Sequence, residues 1–191
     1  MATTVAPYSE VTLPSLFDHV GPWTVDDLDI FDEHHHVEID NGALVMAPHP
    51  AVDHNKALTK MLFALMRACP PHLDVATNNG VAFAASYRIP DGTVHHKVPR
   101  GRQRLLPDDV VLAFEVVSPS STRIDRRDKL EDYASIDIAH YWIVELDPEP
   151  MLVVYALRGG AYEEIARVRG DETYEATEPF PVNITPSQLL G

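Results

Sequence analysis

The chain has 191 residues, 45% of them hydrophobic and 23% charged, and a formal net charge of −14 at pH 7. This composition excludes a mainly disordered chain, and the length suffices for one domain with a buried core, which we predict to span residues 1–191. No stretch approaches the roughly 18 consecutive apolar residues of a membrane span, and the N-terminus lacks a signal-peptide pattern. Because Cys69 is the single cysteine, no internal disulfide is possible, and we expect a cytoplasmic location.

The charge is unevenly distributed along the chain. Residues 1–55 contain no Lys or Arg, whereas eight of the 15 basic residues lie between positions 97 and 129. They are Lys97, Arg100, Arg102, Arg104, Arg123, Arg126, Arg127 and Lys129. The net charge argues against a nucleic-acid partner, since phosphate binding depends on Lys and Arg. A local basic surface is nevertheless compatible with a phosphate-bearing ligand, with ordinary surface ion pairs as the alternative.

The first elements are predicted from capping and turn signals. Residues 1–23 show no clear period and are predicted to be irregular. Thr24 and Asp27 have the spacing of a capping box, which predicts a short helix. A type I′ turn needs positive φ at both central positions, which Asn and Gly adopt more readily than other residues. Asn41-Gly42 therefore predicts a hairpin. Its strands are predicted at 36–40 and 43–47.

Hydrophobic periodicity predicts most of the remaining elements. A single apolar stripe at three- and four-residue spacings predicts a helix over residues 53–68. The stripe consists of Leu58, Met61, Leu62, Leu65 and Met66. Short β-rich runs bounded by Gly, Pro or Asn predict further strands, and the chain is predicted to end in a helical turn at 186–190. The strands are predicted at 73–77, 80–88, 93–98, 141–146, 152–157, 162–168 and 180–184.

Residues 110–117 form a nearly continuous apolar run that ends at Ser118-Pro119, which predicts a buried strand. Because a strand alternates faces, Ala113, Glu115 and Val117 are predicted on one face and Leu112, Phe114 and Val116 on the other. Glu115 interrupts the apolar run. Desolvating an unpaired carboxylate costs several kcal/mol, so Glu115 must have a metal ion, a cation or hydrogen-bond donors as its partner.

Three other charged residues are predicted to converge on Glu115. Asp91 lies at the head of a strand, Glu38 lies in the first hairpin, and Lys129 lies on a helix predicted over 122–135 from a second capping-box spacing. Carboxylates from several strands that point at one spot make an oxygen site suited to Mg²⁺ or Mn²⁺. A nearby ammonium can hold an attacking water or neutralise a phosphate. The set therefore fits metal-assisted phosphodiester hydrolysis.

Other candidate ligands carry less weight. The histidines at 34–36 and 95–96 put adjacent side chains on opposite strand faces, which suits chelation poorly, so surface or local hydrogen bonding is predicted. Asp108 and Asp109 precede the central strand and are alternative metal ligands, although we favour solvation at the strand entry as their role.

Five segments of the chain follow one another in a recognisable order. They are Val37–Gly42, Arg88–Asp91, Glu115–Ser120, Asp125–Lys129 with Tyr133-Ala134, and Tyr141–Val144. Together with His54 at the head of the first long helix, they resemble the Uma-two family. This is a bacterial group of restriction-endonuclease-like proteins in the PD-(D/E)XK nuclease superfamily. The resemblance covers the chain from about Val25 to Leu190.

The resemblance implies an α/β fold of the mixed α+β kind. Its restriction-endonuclease-like core would be a central mixed β-sheet flanked by helices, with an N-terminal β-hairpin. It implies Asp91 and Glu115 as ligands of Mg²⁺ or Mn²⁺, Lys129 as the catalytic lysine and Glu38 as a further acidic site residue. A standard E-x-K motif would place lysine at position 117, where this chain has Val117, so the lysine is expected from the following helix.

The implied activity is that of an Mg²⁺-dependent endonuclease, acting on nucleic acid, above all DNA, as a homodimer. The net charge and Val117 favour an alternative, a catalytically inactive binding or assembly protein with the nuclease fold. A glycoside hydrolase would use Asp91 and Glu115 as acid and base, but sugar-stacking aromatics are missing nearby. Each site residue also has a structural explanation: Glu115 in an ion pair, Asp91 in a turn, Glu38 on a surface hairpin and Lys129 in solvent.

Overall fold

The computed structural model describes residues 19–31, 36–46, 50–117 and 123–191, with only the backbone for residues 123–126. Residues 19–23 form neither helix nor strand, as predicted. Several predictions lie outside the described residues. They concern residues 1–18, His34 and His35, the end of the second hairpin strand at 47, the strand stop at Ser118-Pro119 and the capping role of Thr122.

The described residues form two α-helices, three 3₁₀ turns and twelve strands. The helices are α1 (Val52–Ala68) and α2 (Arg123–Ser135), and the 3₁₀ turns are Val25–Ile30, Pro107–Asp109 and Pro186–Leu189. The strands are β1 (Val37–Asp40), β2 (Ala43–Met46), β3 (Leu73–Thr77), β4 (Val81–Phe83), β5 (Ser86–Arg88), β6 (Gly92–His96), β7 (Val110–Val117), β8 (His140–Glu145), β9 (Met151–Arg158), β10 (Ala161–Arg169), β11 (Tyr174–Ala176) and β12 (Val182–Ile184). In this part of the chain, no helix combines the length and the apolar character needed to cross a bilayer.

The strands form one large mixed sheet and two smaller ones. The large sheet has the order β10-β9-β8-β7-β6-β3, and β7 and β8 form its one parallel pair among the described strands. A four-stranded sheet has the order β2-β1-β5-β4, and β11 pairs with β12. The β1-β2 hairpin turns at Asn41 and Gly42, both with positive φ. The mixed central sheet, the flanking helices and the N-terminal hairpin are therefore confirmed.

Strand β7 is the centre of the large sheet, and its two faces differ as predicted. Leu112, Phe114 and Val116 pack in one core cluster with residues of α1. Ala113 and Val117 belong to a second cluster on the opposite face, where Tyr133 of α2 is buried. The two helices therefore cover opposite faces of the same strand.

The chain departs from prediction at residues 80–88, where one strand was expected. It folds back on itself at Ala84, whose φ is +45°, so that β4 and β5 form a tight antiparallel hairpin. Strand β5 then pairs with β1 through Ile39 and Tyr87. The turn carries neither Gly nor Asn at its tip, so the usual signal for positive φ was missing. As a result, the end of β5 lies beside Glu38.

Candidate active site

Strand register brings Asp91 and Glu115 together. Gly92 of β6 pairs with Phe114 of β7 in antiparallel register. Continuing this ladder by one step places Asp91 opposite Glu115, and directly opposite residues share a face. The backbone N–H of Val116, the residue after Glu115, donates to Oδ2 of Asp91 at 2.7 Å and so holds this carboxylate beside β7. Gly92 is required here by close packing, since a Cβ at this position would lie 2.2 Å from the ring of Phe114.

Glu115 is 7% exposed and receives its partners from α2. Its Oε1 accepts hydrogen bonds from Nζ of Lys129 at 2.9 Å and from the hydroxyl of Tyr133 at 3.2 Å. Lys129 and Tyr133 are four residues apart, so they lie on the same face of the helix. The structure thus supplies both a cation and a hydroxyl donor to the buried carboxylate that the sequence singled out.

Glu115 and Lys129 affect each other's protonation through their charges. Burial raises the pKa of Glu115 to about 8; Lys129 opposes the shift, and the nearby carboxylates of Asp91 and Glu38 add to it. Burial alone would lower the pKa of Lys129, but the carboxylates of Glu115 and Glu38 outweigh it and raise that pKa above its ordinary value. The site therefore has an excess of carboxylate groups around one firmly protonated lysine.

Glu38 is also buried, at 7% exposure, and it faces Lys129. Its Oε1 accepts the backbone N–H of Ile89 at 2.9 Å and lies 3.4 Å from Nζ of Lys129. Its Oε2 lies 3.5 Å from Nη1 of Arg88. Lys129 thus bridges two buried carboxylates, one from the four-stranded sheet and one from the central sheet.

His54 joins the site from the first turn of α1. Its Nε2 donates to Oδ2 of Asp91 at 3.1 Å, since a carboxylate oxygen can only accept. This hydrogen bond raises the pKa of His54, while burial acts against the shift. The other ring nitrogen, Nδ1, is buried and has no hydrogen-bond partner among the described residues. From the sequence, His54 was noted for its place in the family pattern.

Arg88 is the residue that sequence reasoning missed as part of the site. It is 5% exposed, and its guanidinium lies 2.7 Å from Asp132 of α2 and 3.0 Å from Asp40 at the end of β1, besides its contact with Glu38. Buried carboxylates require a counter-charge, which was a signal that some Arg or Lys had to be present. The pairing depends on the β1-β5 contact, which the sequence did not reveal.

The eight basic residues between positions 97 and 129 lie in two separate segments, one that connects β6 to β7 and one in α2. The residues that connect β6 to β7 leave β6 after His96, five residues and about 16 Å from Asp91 at roughly 3.3 Å per residue, and Leu105 of this connection pairs with Val81 of β4. Arg104 there pairs with Asp29, and Arg102 pairs with Asp109. Asp109 therefore lies away from the site. His95 is buried and bonds locally to the carbonyl of the next residue.

Two carboxylates are what this site offers to a metal ion. In the described part of the chain, no three His, Cys, Asp or Glu side chains are close enough to share an ion. Mg²⁺ commonly keeps several waters and binds through one or two carboxylates, so a pair is a sufficient protein contribution. Within the described residues, hydrogen bonds reach only one oxygen of Asp91 and one of Glu115. The donor set and the excess of carboxylates fit a hard divalent cation.

The fold, a central mixed sheet flanked by helices with Asp91, Glu115 and Lys129 close together at one end, is that of the restriction-endonuclease-like class. A family model named Uma2, described as "Putative restriction endonuclease", matches residues 24–189. The chain belongs to this family, which confirms the resemblance. Its fold is similar to the crystal structure of "a putative nuclease belonging to DUF820" from Anabaena variabilis ATCC 29413, with a TM-score of 0.67 and 16% identity over 88% of this chain and 98% of that one. No curated protein matches in sequence.

Proposed function

We propose that this chain is a metal-dependent endonuclease that hydrolyses phosphodiester bonds of DNA. The observation that supports this most strongly is the 2.9 Å contact between Lys129 and Glu115, beside a second carboxylate, Asp91. The standard motif carries its lysine on the strand, at the position of Val117. In this proposal, Lys129 of α2 takes over the role of that lysine. Membership in a restriction-endonuclease family and the nuclease-like fold support the same class of reaction.

Asp91 and Glu115 would hold Mg²⁺ or Mn²⁺ through oxygens that the described hydrogen bonds leave unoccupied. Bound there, the ion would polarise the scissile phosphate and lower the pKa of a coordinated water. Glu115 is buried next to the carboxylates of Asp91 and Glu38, and this concentration of carboxylate groups favours binding of a cation. Glu115 must be ionised to take part, and Tyr133 and Lys129 stabilise its charged form by donating to Oε1.

Lys129 is suited to act as a fixed positive charge. Because its pKa is raised, it stays protonated at physiological pH and does not serve as a general base. An ammonium has three donors, and two of its neighbours among the described residues are the carboxylates of Glu115 and Glu38. The remaining donor is available to a phosphate oxygen or to the attacking water. Such a donor is typically worth about 10²–10³ in rate.

Glu38 acts, in this proposal, on the lysine rather than on the metal. Its oxygens are already engaged by Ile89 and Arg88, and it lies 3.4 Å from Nζ of Lys129. Two carboxylates that contact one ammonium restrict its position more than either would alone. Glu38 is therefore a positioning residue for Lys129.

Nucleic acid would approach the α2 side of the site. Arg127 on that helix is 80% exposed, with Glu131 at i+4 as its ion-pair partner. An exposed pair of this kind is weak and exchanges readily for a phosphate. The homodimer and the cytoplasmic location stay predictions.

The proposal is tested by cleavage of supercoiled plasmid DNA with Mg²⁺, Mn²⁺ or EDTA. We expect cleavage by the parent protein to require a divalent ion, and Glu115→Gln and Lys129→Met to reduce its rate by about 100-fold or more. Arg158→Met is the control, because it removes an exposed cation that pairs with Glu163 at the opposite end of the sheet. Its rate should stay within a few-fold of the parent rate.

Other outcomes discriminate between the alternatives. Cleavage that persists in EDTA would contradict the metal-dependent reaction. Full activity of Lys129→Met would remove the lysine from the mechanism. Single-stranded RNA is tested in parallel. A parent protein that binds DNA and Mn²⁺ but cuts neither DNA nor RNA would identify the inactive binding protein instead.

A further inference from the structure

Asp91 directly precedes β6 and is held by three other elements. The hydroxyl of Thr77 in β3 donates to the backbone carbonyl of Asp91 at 2.7 Å. The backbone N–H of Val116 in β7 and Nε2 of His54 in α1 both donate to its side chain. The carboxylate is therefore fixed by one main-chain donor and one side-chain donor.

Both of these donors reach the same oxygen, Oδ2, at 2.7 and 3.1 Å. A carboxylate with two converging donors on one oxygen has its rotation restricted, and its second oxygen points away from them. In the described residues, no hydrogen bond occupies Oδ1 of Asp91. This division leaves one oxygen for support and the other for a ligand.

Among the described residues, the ring of His54 makes one hydrogen bond of good geometry, to Asp91, and the neighbouring side chain of Asn55 adds to Asp91 in raising its pKa. Its Nδ1 is buried and unpartnered, so its hydrogen bond in the described structure is the one that Nε2 makes with Asp91. The side chain is 12% exposed, and that of Asp91 is 24% exposed. His54 is thus enclosed, while the carboxylate that it contacts remains accessible.

We propose that His54 is a positioning residue for the metal-binding carboxylate of Asp91. By donating to Oδ2 alongside Val116, it presents Oδ1 to the divalent ion shared with Glu115. This inference rests on the proposed metal-dependent function and names a residue that supports it from outside the ligand pair. Removal of such an outer partner typically weakens metal binding by about 10–100-fold.

The test compares two amide substitutions by calorimetric titration with Mn²⁺ in the absence of nucleic acid. In His54→Gln the amide nitrogen takes roughly the place of Nε2 and keeps the donor. In His54→Asn the side chain is one carbon shorter and falls short of Asp91. We expect His54→Gln to bind Mn²⁺ within about threefold of the parent and His54→Asn to bind about 10–100-fold more weakly.

Two controls separate this inference from the proposed function. Glu115→Gln should abolish Mn²⁺ binding if the metal site exists, and circular dichroism with urea unfolding shows whether both His54 variants are folded. If the parent binds Mn²⁺ and both His54 variants bind equally well, or equally poorly, the positioning role is overturned while the metal site stands. If the parent binds no Mn²⁺, the metal site and the role of His54 are overturned together.

Discussion

Helices α1 and α2 cover opposite faces of strand β7, but they are attached to it by different interactions. Helix α1 buries Ala57, Met61 and Leu65 completely in an apolar cluster. Of the described side chains of α2, Tyr133 alone is fully buried. Leu130 packs against the same cluster as Tyr133, and charged contacts add to this attachment: Lys129 pairs with Glu115 and Glu38, and Asp132 pairs with Arg88.

The two helices differ in role: α1 supports the fold, and α2 carries the proposed catalytic lysine. Apolar contacts are non-directional and independent of pH, so α1 is held in the same way under most conditions. Buried ion pairs depend on geometry and protonation, and removal of one partner leaves an uncompensated charge. The helix that carries the lysine is therefore held by the same kind of interaction that the proposed reaction uses.

The strongest test of this contrast is Arg88→Met. The substitution keeps an apolar stem but leaves Asp132, Asp40 and Glu38 without their shared cation, so we expect a loss of about 3–5 kcal/mol in the free energy of unfolding. Urea denaturation measures it. Arg102→Met is the control, because it removes a partly exposed pair with Asp109 and should cost less than about 1 kcal/mol. Equal losses in the two variants would show that α2 is not held by charge.

On the apolar side, Met61→Ala should lower the free energy of unfolding by about 2–5 kcal/mol, since it leaves a cavity among fully buried side chains. The loss should be the same at pH 5 and pH 8, because no charged side chain belongs to the cluster. Met66→Ala on the same helix is the control: this side chain is 60% exposed, and the change should stay within about 0.5 kcal/mol. A loss for Met61→Ala that varied with pH would break the contrast.

On the charged side, the metal-free protein should lose stability as the pH rises from about 5 to 8. Burial raises the pKa of Glu115 from 4.5 to about 8, so in this range the folded protein holds a proton that the unfolded chain has released. Each pH unit then removes at most about 1.4 kcal/mol. The raised pKa of His54 gives a slope of the same sign.

Comparison with Glu115→Gln isolates the contribution of Glu115, because His54 is present in both proteins. Urea unfolding at pH 5, 6, 7 and 8 should show a smaller slope in the variant. Saturating Mn²⁺ should flatten the slope of the parent alone, since metal binding requires the ionised carboxylate. Identical slopes in both metal-free proteins would exclude Glu115 as the titrating group.

The smallest expected effect is that of Tyr133→Phe, which removes the 3.2 Å hydrogen bond to Glu115 and should cost about 1 kcal/mol of unfolding free energy. Tyr162→Phe is the matched control, because its hydroxyl donates at 2.7 Å to the carbonyl of Ile138, away from the carboxylates. Both variants should lose similar stability. Calorimetry at pH 7 should show weaker Mn²⁺ binding only for Tyr133→Phe, and equal Mn²⁺ affinities would contradict a role for this hydroxyl.

The local part of this architecture was predictable from the sequence. Alternation along residues 110–117 assigned the side chains to the two faces of β7 correctly, because successive side chains of a strand point to opposite faces. The stripe on α1 was right for Met61 and Leu65 but wrong for Met66, which is exposed, while small Ala57 is fully buried. Periodicity predicts which side of a helix is apolar to within one helical position. It does not predict how far along the helix the packing surface of the sheet extends.

The site was less predictable, since it depends on long-range pairing. The sequence identified Asp91, Glu115 and Lys129, and the structure brings all three together. It did not identify Arg88, because the hairpin that carries it turns at Ala84 without a turn-favouring residue. Backbone donors such as the N–H of Val116 are invisible to motif reasoning, since every residue except proline has one.

The parallel pairing of β7 and β8 has a consequence for how such sites diverge. Parallel neighbours need a connection that carries the chain back across the sheet, and in this chain α2 lies in that connection. A helix on this path passes over the strand that precedes it, so a side chain on its inner surface can replace one from the strand without any change of topology. Homologues that lack the strand lysine should therefore be searched along the crossover helix before they are classed as inactive.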